Sequence, residues 1–215
     1  MKPALGFGVA VAGAAVGLVA YKLLGGTRRP RPAAAPSSRS SSPTAPPLGG
    51  GPALLAAAQR ALRQGVAETF ANTGPVVDRY LAAVGISPPA NWCAAAVTAW
   101  MREAYMGLGG PPPIAGGARA KAFKEQLEAR GTWIPAAKLT AAKVRPGDIA
   151  VWHRGDPGSW MGHIGVVESV DRDGKGFHTI EGNSGTRSDR VALMYRTFAD
   201  PRLLGIGSLD PLLVV

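Results

Sequence analysis

The spacing of hydrophobic residues changes from helical to strand-like partway along the chain. From Leu54 to Arg130 apolar residues recur at helical spacing, which predicts four helices, the third of them running from about Trp92 to Tyr105. After Gly147 the segments IAVWH, HIGVVESV, FHTIEG and VALMYRTF are short, rich in β-branched and aromatic residues, and separated by turn residues. The chain is therefore predicted to be α+β, with N-terminal helices packed on an antiparallel sheet.

The residues before Leu54 have a different composition. Residues 3–21 are uncharged and long enough to cross a hydrocarbon core as a helix, and no convincing cleavage site follows them. Residues 27–53 are rich in Pro, Ser, Ala and Gly and lack an apolar period, which is typical of a flexible tether. The sequence thus predicts a signal-anchor segment at 1–26, a linker at 27–53 and a globular domain at 54–215.

Charge and cysteine content narrow the function classes. The net charge is +10, of which residues 1–51 contribute six basic side chains and no acidic ones. The rest of the chain has no continuous basic run, so no nucleic-acid partner is expected, and mild basicity suits a polyanionic cell wall equally well. A single cysteine excludes an intramolecular disulfide and a multi-thiolate zinc site, but it permits thiol nucleophile chemistry.

That single cysteine, Cys93, lies at the predicted start of the third helix. Asn91 is a good helix-capping residue, which places Cys93 in the first turn. Unpaired N–H groups and the helix dipole favour negative charge there and could also stabilise an oxyanion. The alternative is that Cys93 only packs in the core, as free cysteines usually do.

A hairpin brings one histidine close to candidate partners. The segments HIGVVESV and FHTIEG are joined by a turn centred near Asp173, so His163 is expected opposite the end of the next strand, from Glu181 to Asn183. Glu181 and Asn183 lie two residues apart and are expected on one face. This arrangement would give a base and its orienting group, although His163 could also be purely structural.

The other two histidines fit a catalytic role less well. His178 is expected near Glu168, far along the strand from His163. His153 ends the preceding strand and could be a solvated edge residue or a substrate contact. Glycines at 162 and 165 favour close approach of another segment or a ligand to His163.

Four motifs then occur in a familiar order. NWCAAAVTAWM, VRPGDIAVWHRG, GHIGVVESVD and FHTIEGNSG resemble the CHAP family of cysteine amidohydrolases and peptidases, relatives of the NlpC/P60 hydrolases, over about residues 55–200. The resemblance implies a papain-like fold with Cys93 as nucleophile, His163 as general base and Glu181 orienting the imidazole. It also implies that Asn183 is a further polar member of the site.

The resemblance implies peptidoglycan as substrate, cut at a peptide or N-acetylmuramoyl-L-alanine amide bond without an obligatory cofactor or metal. Trp92 and Trp160 could line a glycopeptide groove, although core packing fits Trp92 equally well. The expected location is the cell envelope, membrane-anchored through residues 3–21 or exported, with phage origin as one alternative.

The sequence leaves alternatives for the membrane orientation of the domain and for its catalytic activity. Basic residues after residues 3–21 favour a cytoplasmic C-terminal domain, which conflicts with a wall substrate. The alternative functions are a catalytically inactive wall-binding or virion structural module and an amidase effector toxin of similar chemistry.

Overall fold

The computed structural model describes residues 49–156 and 158–211, and these ranges contain four α-helices followed by six strands. The helices are α1 (Gly50–Arg63), α2 (Pro75–Ala83), α3 (Cys93–Leu108) and α4 (Ala120–Ala129). The strands are β1 (Trp133–Pro135), β2 (Ile149–His153), β3 (Gly162–Val170), β4 (Gly176–Ser184), β5 (Arg190–Thr197) and β6 (Leu203–Gly207). Two 3-10 turns, Ala136–Lys138 and Ala141–Lys143, connect β1 to β2. The α+β prediction, helices first, is confirmed.

The predicted anchor at 1–26 and most of the predicted linker lie outside the described residues. Within the described ranges, no helix is both long and apolar enough to cross a membrane. Helix α1 begins at Gly50, so the last residues assigned to the linker are helical. The carboxylate of Asp210 accepts hydrogen bonds from the N–H groups of Gly50 (2.7 Å) and Gly51 (3.0 Å), so the cap comes from the far end of the domain.

All strand pairs are antiparallel, in the order β1-β6-β2-β3-β4-β5. Strand β2 shows how the sheet separates two apolar layers. Ile149 and Val151 belong to the cluster formed with the helices, whereas Ala150 and Trp152 belong to a second cluster that includes Phe177. Because both faces of β2 are covered, its sequence is a continuous apolar run and does not alternate between apolar and polar residues.

Strands β1 and β6 were not predicted from the sequence.

The β3–β4 hairpin has the predicted register away from its turn, where Val166 pairs with Ile180 and Val167 with Thr179. The register shifts between Val167 and Ser169, so the expected pairing of His178 with Glu168 is wrong and His178 lies opposite Ser169. At the other end of β4 the prediction that Glu181 and Asn183 share one face is wrong. The pairing of β4 with β5 shifts register between Glu181 and Ser184, and Asn183 has a left-handed backbone (φ 53°). This irregularity breaks the two-residue alternation, as bulges do.

Asp148, in the turn before β2, generates a pH-dependent prediction. Its carboxylate is buried and accepts a hydrogen bond from the Arg145 N–H (2.8 Å), and burial raises its pKa to about 6. A raised carboxyl pKa stabilises the fold while the group is protonated, and this contribution is lost as the pH rises from its ordinary value near 4 through 6. The loss is on the order of 3 kcal/mol.

We therefore expect Asp148→Asn, which keeps an acceptor oxygen without the charge, to gain free energy of unfolding relative to the parent protein between pH 4 and pH 7.5. Urea denaturation at several pH values measures this difference. The turn residue Asp173, which is exposed, supplies the control Asp173→Asn. A difference between Asp148→Asn and the parent that does not change with pH would contradict the prediction.

Candidate active site

Cys93 is the first residue of α3, as predicted, and Trp92 rather than Asn91 is the capping residue. The first intrahelical hydrogen bond runs from the Ala96 N–H to the Trp92 carbonyl (2.9 Å), and no described side chain caps the helix. The N–H groups of the first turn therefore precede the helical ladder and can receive an anion. The thiol is largely buried, with 7% of the residue exposed.

His163 lies between Cys93 and Glu181. Its Nε2 is 2.7 Å from Oε2 of Glu181, and both side chains are buried. An ionised carboxylate can only accept, so Nε2 carries a proton. The other ring nitrogen, Nδ1, is therefore the one that can interact with the thiol of Cys93. It is buried and has no other hydrogen-bond partner among the described residues. A neutral imidazole in this tautomer presents a lone pair to the thiol, which is the arrangement a base requires.

Opposing effects determine the pKa of His163. Burial alone lowers it, but hydrogen bonds and charge interactions with Cys93 and Glu181 outweigh burial, so the pKa lies above its usual value. The protonated ring is therefore favoured when the sulfur is a thiolate.

Glu181 is the most heavily hydrogen-bonded side chain of the site. Besides His163, it accepts from the hydroxyls of Thr179 (2.6 Å) and Ser184 (2.9 Å) and from both Nε and a terminal nitrogen of Arg196. Burial raises the pKa of Glu181, but the bonds and charges of His163 and Arg196 overcome that effect and lower it to about 2. Glu181 is consequently a fixed negative charge.

The sequence analysis missed Arg196. It lies on β5 opposite Phe177 of β4, and its guanidinium stacks over the Trp152 ring with its central carbon 5.1 Å from the ring centroid. Its side chain is 20% exposed. The pairing of β4 with β5 places Arg196 on the same face of the sheet as Glu181. This pairing was not predicted, and nothing in the local sequence distinguishes Arg196 from the other surface arginines.

Asn183 is near the site but bonds elsewhere. Its side-chain amide hydrogen-bonds that of Asn72 at 2.8 Å, and among the described residues it makes no hydrogen bond to His163 or Cys93. Asn72 in turn donates its backbone N–H to Glu68 (2.7 Å), whose other oxygen accepts from the indole of Trp92 (2.8 Å). Asn183 thus ties the loop that holds Trp92, the residue before the nucleophile candidate, to the end of β4.

The two tryptophans predicted as substrate contacts have different surroundings. Trp92 is fully buried in the main core, so core packing, the alternative left open above, describes it correctly and its assignment as a substrate contact is corrected. Trp160 is 67% exposed in the loop before β3 and stays a candidate contact.

The two other histidines lie away from the thiol. His178 pairs with Ser169 on β3 and approaches Asp171 at 3.6 Å, so it is not a partner of Cys93. His153 is half-buried at the end of β2 and lines a small cavity. No cluster of three metal-ligating side chains occurs within residues 49–156 and 158–211.

Residues 85–183 match the family model described as the CHAP domain. The range contains Cys93, His163, Glu181 and Asn183, and Arg196 lies beyond its end. Comparison with curated proteins and with solved structures gave no match.

The bonding around Glu181 predicts a large cost for its amide analogue. In Glu181→Gln the new NH₂ group would face donors, and the Arg196 charge would lose its partner, so we expect a destabilisation of about 3 kcal/mol at pH 7. Because the pKa of Glu181 is lowered to about 2, the difference between parent and variant should shrink as the pH falls below 4 toward 2.

Chemical denaturation between pH 2 and pH 7 measures this difference. Asp189→Asn, which removes a carboxylate from the surface ion pairs with Arg187 and Arg190, is the matched control and should change stability far less. Equal effects of the two variants would mean that the buried network does not stabilise the fold as described.

Proposed function

We propose that the protein cleaves an amide bond of peptidoglycan through a thioester on Cys93. The match of residues 85–183 to the CHAP domain supports this proposal, since that family indicates peptidoglycan amidase or peptidase activity in general. The observation that supports this reaction is the orientation of His163, with Nε2 bonded to Glu181 and Nδ1 left for the thiol. The alternative of an inactive wall-binding module gives no reason for a buried base held beside the only cysteine.

In the acylation step, Nδ1 of His163 takes the thiol proton and the Cys93 sulfur attacks the amide carbonyl carbon. The carbonyl oxygen becomes an oxyanion, which the N–H groups of the first turn of α3 can bind. The tetrahedral intermediate collapses as the C–N bond breaks, and His163 returns its proton to the departing amine. The products are a free amine and a thioester.

In the deacylation step, His163 accepts a proton from water, whose oxygen attacks the thioester carbonyl. The second tetrahedral intermediate breaks its C–S bond, releasing a carboxylic acid product and restoring the Cys93–His163 pair. Glu181 stabilises the imidazolium in both steps without exchanging a proton, because His163 and Arg196 keep its carboxylate ionised.

The proposed substrate places the protein at the cell wall. The predicted segment 3–21 would then anchor it to the membrane with the domain on the outer side, and exposed Trp160 is the proposed contact for the glycopeptide. Mass spectrometry of digested sacculi would identify the bond: a new amino terminus within the peptide indicates an endopeptidase, and a freed lactyl carboxylate indicates an amidase.

Loss of the thiol should abolish turnover. Cys93→Ala and Cys93→Ser should release no wall fragments from purified sacculi, since neither supplies a thiolate, while far-UV circular dichroism stays unchanged. Because the chain has one cysteine, iodoacetamide should inactivate the parent protein by modifying Cys93 alone, with protection by excess sacculi. Fragment release by a folded Cys93→Ala variant would disprove the mechanism.

Arg196 should affect the pH dependence of turnover. In Arg196→Met the pKa of Glu181 should rise, so the acidic limb of the kcat/KM profile should move to higher pH, and kcat/KM at pH 7 should fall about tenfold to a hundredfold. Arg196→Lys keeps the charge but not the two-pronged contact and should give an intermediate loss.

Two controls separate positioning from general damage. Millimolar guanidinium should partly restore Arg196→Ala, because the cation can occupy the vacated space beside Glu181. Arg190→Met removes an exposed arginine from the same strand and should leave the profile in place. An unshifted acidic limb in Arg196→Met would rule out this role.

A further inference from the structure

A small cavity of about 50 Å³ adjoins the site, with His163 and Arg196 in its wall. The end of β2 and the turn before β6 supply the remaining lining. The volume accommodates a few water-sized positions, which is enough for one small polar group. Because His163 forms part of the cavity wall, a group bound in the cavity would lie next to the proposed base.

Unsatisfied nitrogen atoms are concentrated around this cavity. Four buried side-chain nitrogens among the described residues lack a hydrogen-bond partner, and three of them belong to residues that line it: Trp152 Nε1, His153 Nδ1 and His163 Nδ1. The thiol accounts for His163 Nδ1. The Trp152 indole is a donor only, so it requires an acceptor, and leaving it unsatisfied carries a desolvation penalty. A ligand or water with acceptor atoms would remove that penalty.

The charges of the lining favour an anion. Arg196 is neutralised by Glu181, and Arg202 is neutralised by Asp200 through two contacts of 3.1 and 3.0 Å. Arg154 also lines the cavity, and its guanidinium has no hydrogen-bond or ion-pair partner in the part of the chain that the structure describes. Arg154 is exposed to solvent, and it is therefore the lining cation most available to pair with an anionic ligand.

We propose that this cavity binds a carboxylate group of the substrate, with Arg154, the Trp152 indole and His153 Nδ1 as donors. The inference deepens the proposed function, because the ligand is taken to be part of the peptidoglycan peptide. A carboxylate presents two acceptor oxygens that match the fork of a guanidinium, and its second oxygen can accept from the indole. Binding there would select peptides with a free carboxylate over their amides.

The test uses the full-length Cys93→Ala protein, so it does not depend on turnover. The indole N–H resonance of Trp152, assigned with Trp152→Phe, is followed while sodium acetate is added, with sodium chloride at matched ionic strength as reference. A short peptide with a free terminal carboxylate and its amide are then compared. We expect saturable shifts with acetate and the carboxylate peptide and none with the amide.

Arg154→Gln should weaken acetate binding about tenfold, the loss expected for one charge-assisted hydrogen bond. Arg172→Gln, in the exposed β3–β4 turn, is the matched control and should bind as the parent does. In the active protein, Arg154→Gln should also reduce the ratio of kcat/KM for carboxylate-bearing fragments to that for amidated ones.

The outcomes separate this inference from the proposed function. Saturable carboxylate binding in a protein that digests no sacculi would support the site and disprove the hydrolase, whereas digestion without such binding would do the reverse. An equal shift with chloride, or no loss in Arg154→Gln, would overturn the carboxylate assignment and leave a water-filled cavity.

Discussion

The fold depends on how the buried carboxylate of Glu181 is compensated. A carboxylate removed from water must be surrounded by donors, and here Thr179 and Ser184 come from its own strand, His163 from β3 and Arg196 from β5. These bonds form together only when the three strands have one relative register. The polar network therefore specifies the same alignment as the apolar layers on the two sheet faces, and it holds the imidazole that the proposed reaction uses.

Close packing brings the helix that carries Cys93 to this sheet. A Cβ at Gly182 would lie 2.8 Å from both the Ala96 Cβ and a ring carbon of Trp92, so a larger residue would push α3 away from β4. A Cβ at Gly165 would lie 2.6 Å from Glu181 Cγ, which explains the close approach expected at that position. The small residues Gly182 and Ala96 thus let β4 and the start of α3 pack closely, which brings Cys93 toward the sheet that carries His163.

Local patterns predicted the features that depend on neighbours in sequence: the helices, the β3–β4 register away from its turn, and the placing of Cys93 and His163. Features that depend on distant residues were missed. Asp210 caps α1 from the other end of the domain, and the three-residue strand β1 exists because β6 pairs with it. The irregularity at Asn183 reverses one side chain with no local signal beyond an asparagine, and Arg196 becomes a partner of Glu181 only after β5 has paired.

The pKa values explain why, in the proposed reaction, Glu181 is assigned to orient the imidazole and not to act as an acid. The pKa of Glu181 is about 2, and the pKa of the neighbouring His163 lies above its usual value, so a proton shared by the two groups stays on the imidazole ring. Transfer from His163 to Glu181 is therefore unfavourable at any pH where the protein would act on a wall. In the proposed reaction the proton that moves is the one between Cys93 and His163. Arg196, by keeping Glu181 ionised, would therefore confine proton exchange to the pair proposed to meet the substrate.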